Sequence, residues 1–162
     1  MLISVGENMR YLMLPLFVFT LAFGSWPYVH VLRLDRALIQ YDHATLGTLL
    51  NLDAIRVERK RVLELHAVDT HNPVSHALHQ VASVLSGNSV DNTVTLDWVR
   101  ETLRPVPARP NEDYPSILHY ASFAFFEDPQ HFVVRIRDLG ENPIHLRWTL
   151  RDWVWRVTAI YD

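Results

Sequence analysis

The hydrophobic and polar positions along the chain change pattern three times. From Tyr11 to Leu32 there is no Asp, Glu, Lys or Arg, and Tyr11 to Phe23 is almost wholly apolar. From Pro27 to Tyr41 the apolar residues Val31, Leu34, Leu38 and Tyr41 fall at helical spacing, with Arg33, Asp35, Arg36 and Gln40 between them, which predicts an amphipathic helix. Asp42 is placed to cap a short helix ending near Leu50, and Asp53 to cap a third carrying Val57, Val62 and Leu65. Pro73 opens a further helical segment with Ala77, Leu78, Val81, Val84 and Leu85, closed by Gly87-Asn88. Thr95 caps a short helix with Leu96, Val99 and Leu103.

After the proline-rich stretch Arg104 to Pro115 the period becomes two. Phe132, Val134 and Ile136 alternate with Val133, Arg135 and Arg137, and Ile144, Leu146, Trp148 and Leu150 alternate with His145, Arg147, Thr149 and Arg151. Ile117 to Phe126 precedes these runs and Trp153 to Tyr161 follows, with turn signals at Glu127-Asp128-Pro129-Gln130 and Gly140-Glu141-Asn142-Pro143. Adjacent strands joined by short turns form an antiparallel meander. The expected fold is α+β: an N-terminal apolar helix, several short helices, then a C-terminal four-stranded antiparallel meander, cystatin-like or NTF2-like by analogy. The division is residues 1–26 as signal peptide or membrane anchor and 27–162 as one domain, helical over 27–104, linked by 105–115 to a sheet over 116–162.

The apolar run requires a membrane or a translocon. It reaches the roughly 20 residues of a spanning helix only if Ser25, Trp26, Pro27 and His30 are counted. Its strongly apolar part has the length of a signal-peptide core, with Arg10 before it and Ala22-Phe23-Gly24 as a small-x-small pattern after it. The signal-like pattern puts the domain outside the cytoplasm: on the periplasmic face of a bacterial inner membrane if the segment is kept, or free in the periplasm after cleavage near Gly24. Basic residues balance across the span, so charge does not set the orientation.

Composition narrows the function classes. Fifteen basic and eighteen acidic residues give a net charge of -3, which argues against nucleic acid as a partner. The absence of cysteine removes disulfides, thiol catalysis and cysteine-ligated metal. No nucleophile elbow, phosphate-binding loop or dinucleotide fingerprint occurs, so no catalytic residue and no cofactor is expected. Three sets of residues are candidates for contact. His71, His76 and His79 lie within nine residues, and the pair at i,i+3 can share one helix face, so a transition-metal site is geometrically allowed, although two helical His alone make a weak site. Trp148, Trp153 and Trp155, with Phe123, Phe125 and Phe126, could line an apolar pocket or meet a partner, with Trp153 and Trp155 on one strand face. Arg135, Arg137, Arg147 and Arg151 are gathered by alternation on the face opposite the core, where neighbours such as Asp138 and Glu141 would neutralise them. Asp42, Asp53 and Arg56 could cluster, but two caps and an Arg ordering a loop account for the same residues.

The block WPYVHVLRLDRALIQYDHATLGTLLNLDAIRVERKRVL, with the closing YASFAFFEDPQHFVVRIRD and WVWRVTAIYD, resembles the domain-of-unknown-function 2939 family of bacterial envelope proteins. Trp26, Tyr28, Ala37, Asp42, Leu46, Asp53 and Arg56 look like that family's recurrent positions, and the resemblance covers roughly Trp26 to Asp162. It implies an envelope location and an N-terminal signal or anchor, and it supplies no activity. The reading that follows is a non-catalytic, membrane-anchored interaction protein with a protein partner, an accessory subunit of a membrane complex; the alternative is a periplasmic small-ligand-binding module with an aromatic pocket.

Overall fold

A computed structural model describes residues 5–68, 90, 92–106 and 113–161, with the side chains of 5–12, 64 and 66–68 left aside. Its elements are α1 (Val5–Gln40), α2 (His43–Leu49), α3 (Leu52–Val68), α4 (Leu96–Thr102), a 3-10 turn (Ile117–Tyr120), and strands β1 (Ala121–Asp128), β2 (His131–Ile136), β3 (Ile144–Arg151) and β4 (Val154–Tyr161). The fold is α+β. The four strands form an antiparallel meander in the order β1-β2-β3-β4.

The apolar run and the amphipathic helix are one element. α1 spans 36 residues and contains both Pro15 and Pro27, so Pro27 does not mark the boundary that its position suggests. Proline removes one backbone donor, and Pro27 itself is buried. The hydroxyls of Thr20 and Ser25 donate back to the carbonyls of Leu16 and Leu21, so neither polar side chain interrupts the run. α1 ends where Tyr41 turns left-handed (φ 55). The Asp42 N–H then donates to the Ala37 carbonyl at 3.0 Å, the closing bond of a Schellman motif.

The Asp42 carboxylate caps α2, accepting from the backbone N–H of Ala44 and Thr45 and from the Thr45 hydroxyl at 2.6 Å. At α3 the capping acceptor is the Asn51 side chain, bonded to Ala54 N–H. Asp53, expected as the cap, lies in the first turn and pairs with Arg56 at 2.9 Å. The inward face of α3 is set by Ile55, while Val57 and Leu65 are exposed. The expected Val57–Leu65 stripe is thus displaced from the face that meets β4. Thr95 caps α4 through Trp98 N–H.

The inner face of the sheet reads in rungs. Phe126, Phe132, Trp148 and Val157 lie side by side, and Ala124, Val134, Leu146 and Ile160 form the next rung. Val31, Leu34 and Leu38 of α1, Leu46 and Leu49 of α2, Ile55 of α3, and Val99 and Leu103 cover this face. The free edge of β4 is partly closed by a parallel bridge between Leu50 and Val157, backed by Asn51 N–H to Val157 O at 2.9 Å. Register irregularities at both ends of β1 blunt the other edge.

The end of the linker is pinned to α1. Buried Asp35 accepts from Ile117 N–H at 2.7 Å and from the Ser116 hydroxyl at 3.0 Å. Ile117 to Tyr120, expected as strand, is instead a 3-10 turn, since this anchoring bends the chain before it can enter the sheet.

Candidate membrane and partner surface

The exposed half of α1 is the first feature. Every large apolar side chain from Met13 to Leu21 is more than half exposed, from 57% at Leu21 to 69% at Leu14. The helix segment from Met13 to Gln40 is long and apolar enough to cross a membrane. Burial begins about one turn later, with Phe23 and Trp26.

At that junction aromatic rings form a collar. Phe19 stacks on Phe23, Phe23 on Phe126 at 6.3 Å, and Trp26 on Trp153 at 6.1 Å with an interplanar angle of 16°. Tyr28 meets Phe132 edge-on at 4.9 Å. Trp148 and Trp155 are fully buried beneath this collar, and neither indole N–H has a hydrogen-bond partner. They fill the core by volume and line no accessible surface.

Trp153 stands apart from them. It is 70% exposed and sits in the two-residue turn between β3 and β4, not on a strand face shared with Trp155. Asp152 and Trp153 both have positive φ, 50 and 61, as a type I′ hairpin turn requires. Asn-Gly or Asp-Gly usually marks such a turn, so Asp-Trp carries little of that signal.

The outer face of the sheet is the second feature. Phe123 and Phe125 of β1 are exposed, with ring centroids 5.2 Å apart. Arg135 lies beside Phe123, its guanidinium 5.6 Å from the ring, and its Nε donates to the Ser122 hydroxyl. Arg147 pairs with Glu127 at 3.1 Å across the sheet. Arg137 falls just beyond β2 with φ 68 and donates to the Glu141 carbonyl. A neutralising carboxylate on this face is therefore Glu127, not Asp138 or Glu141, because the register sets the end of β1 across β2 from Arg147. Arg151 is exposed at the end of β3.

A polar seam at the C-terminal end of α1 escaped the sequence reading. The Tyr41 hydroxyl donates to the Asp97 carboxylate, and Arg100 lies over both Tyr41 (4.7 Å) and Tyr114 (4.4 Å) while donating to the Leu38 carbonyl. The hydrogen bond to Asp97 pushes the Tyr41 phenol up, and burial pushes up that of Tyr114. These groups tie α4 and the linker end to α1. Asp42, Asp53 and Arg56 make ties elsewhere: Asp42 caps α2, and Arg56 joins Asp53 to the Val94 carbonyl at 2.9 Å. At the far edge, Tyr161 donates to Glu58 of α3 at 3.1 Å. His71, His76 and His79 lie outside the described residues.

These features define a class: an α+β domain built onto the end of a long apolar helix. The chain belongs to the family described as Protein of unknown function (DUF2939), whose model matches residues 16–102. The matched stretch includes the exposed half of α1 from Leu16 onward and ends with α4, so it begins before Trp26 and stops short of the sheet. Ala37, Asp42 and Arg56 each anchor a turn or loop within it. No curated protein and no solved structure matches the chain.

Proposed function

We propose that this protein is a non-catalytic interaction protein held at a bacterial inner membrane by α1, with its α+β domain in the periplasm, and that it serves as an accessory subunit of a membrane complex. The observation that carries the reading is the uncovered apolar run Met13 to Leu21, continuous with a helix whose other half is core. Water does not tolerate a bare apolar helix of this kind, and a bilayer does. The polar groups gathered by the fold have structural work: Asp42 caps a helix, Asp35 pins the linker, and Arg56 and Arg100 hold backbone carbonyls.

The partner surface is the outer face of the sheet, where exposed Phe123 and Phe125 adjoin Arg135 and Arg147. Aromatic and arginine side chains are enriched where protein surfaces meet. The pocket-lining alternative draws no support from Trp148 and Trp155, which are core. A photo-crosslinking amino acid at Phe123, in the full chain in native membranes, should give one discrete adduct. The pair Arg135→Glu and Arg147→Glu should abolish that adduct without loss of fold, since the Arg147 ion pair is partly exposed and contributes little. A chain that gives no adduct, or one that the two reversals leave intact, overturns the proposal.

A further inference from the structure

The strongly apolar part of α1 is too short for the task assigned to it. Tyr11 to Phe23 is thirteen residues, about 20 Å of helix at 1.5 Å per residue, whereas the hydrocarbon layer is about 30 Å thick. The charge-free run continues to Leu32, but by Phe23 and Trp26 the helix already touches the sheet. A domain standing clear of the bilayer would leave the span roughly a third short. Either the membrane thins or its surface comes up to the collar.

The collar is built for the second case. Trp26 lies five residues beyond Leu21, about 7 Å further along the axis, within the depth of a headgroup layer measured from the end of the exposed run. The two turns at this end of the sheet are held side by side, since the Leu150 N–H donates to the Gln130 carbonyl at 2.8 Å. The tip of one turn is Trp153, largely exposed and held left-handed, a conformation that costs an L-residue about 1–2 kcal/mol. A bulky residue kept there against its preference, and stacked on the helix where apolar exposure gives way to core, requires a reason. Tryptophan prefers the membrane–water interface. The turns also carry Asp128 and Asp152, so attraction to anionic lipid does not drive the contact.

Building on α1 as a retained anchor, we infer that the β1–β2 and β3–β4 turns rest in the headgroup layer of the same bilayer, with Trp153 as the interfacial wedge. The domain is then docked at a fixed height by a rigid helix and an indole, and its outer Phe123/Arg135 face is presented alongside the membrane.

The chain has no cysteine, so single nitroxide labels report depth directly. The probes are Val18→Cys in the anchor, Gln130→Cys in the β1–β2 turn, and Gly140→Cys at the opposite end of the sheet, where an added side chain meets nothing within 4 Å. Each is placed in the full chain in phosphatidylcholine vesicles and read by collision with oxygen against a water-soluble nickel chelate. The expected order is lipid-like at 18, a severalfold higher oxygen-to-nickel ratio at 130 than at 140, and water-like at 140. A lipid-buried 18 with 130 as aqueous as 140 overturns the docking and leaves the anchor standing. A water-exposed 18 overturns the anchor, and the docking with it. Trp153→Gly fits the left-handed turn and should move label 130 toward water while leaving thermal unfolding nearly unchanged; if label 130 stays in place, Trp153 is not the wedge.

Discussion

The two halves of α1 are made of similar residues and meet opposite fates. Val31, Leu34, Ala37 and Leu38 are buried by the sheet and by α2, whereas Leu14, Leu16, Phe17 and Val18 have nothing over them. The difference lies in what interrupts the leucines. Arg33, Asp35 and Arg36 divide the C-terminal half into a face for the core and a face for water, while between Tyr11 and Phe23 only Thr20 is polar among apolar and aromatic residues. One half can be satisfied by a single-sided core, and the other only by an environment apolar all round.

Truncation separates the halves most sharply. Leu34→Ala should destabilise the domain by about 2–5 kcal/mol, the cost of a cavity in a fully buried site. Phe17→Ala should leave denaturant unfolding of the domain unmoved; equal effects would erase the distinction. Conversely, Phe17→Arg should raise the cost of membrane insertion by about 3–4 kcal/mol, seen as a fall in the inserted fraction, and the domain's unfolding midpoint should not change.

Smaller effects sharpen the buried half. Asp35→Ala leaves Ile117 N–H and the Ser116 hydroxyl without their acceptor and should cost about 1–3 kcal/mol, measured by chemical denaturation. It should also increase protease cleavage near residues 104–115, since the linker end loses its tie to α1.

Acid should act just past the helix. The Asp42 carboxylate is held below its usual range by the Thr45 hydroxyl and backbone N–H, and that of Asp128 by His131 and Gln130 N–H. A depressed carboxylate contributes stability above its unfolded pKa of about 3.9, and the contribution fades as pH falls through the lower folded value. The melting temperature should therefore fall below about pH 4, and less so in Asp42→Asn, which keeps a capping acceptor but does not titrate. Identical acid profiles for the two proteins would contradict this role.

Alternation made the sheet legible: Phe132, Val134, Ile136, Leu146 and Trp148 all lie where period two puts them. Asp42 and Thr95 announced their helices because a cap is a local interaction. What stayed hidden depended on context. Pro27 opened the expected amphipathic helix, but nothing local shows that the apolar run continues through that proline into the same helix. Trp153 and Trp155 looked like one strand face because the turn between β3 and β4 lacks glycine, and the Asn51 cap was masked by Asp53 two positions on. The collar, the Glu127–Arg147 pair and the Tyr41–Asp97–Arg100 seam join residues far apart in sequence, so only the fold could reveal them.

The central claim is that α1 places its exposed half in a membrane while its other half belongs to the domain. Alkaline carbonate washing of membranes tests it most directly, because that treatment strips surface-bound protein and leaves inserted helices. The full chain should remain in the membrane pellet, and a chain lacking residues 1–24 should be recovered soluble, with its helix and strand signals intact by circular dichroism. Release of the full chain into the wash, or retention of the shortened chain in the pellet, would contradict the account.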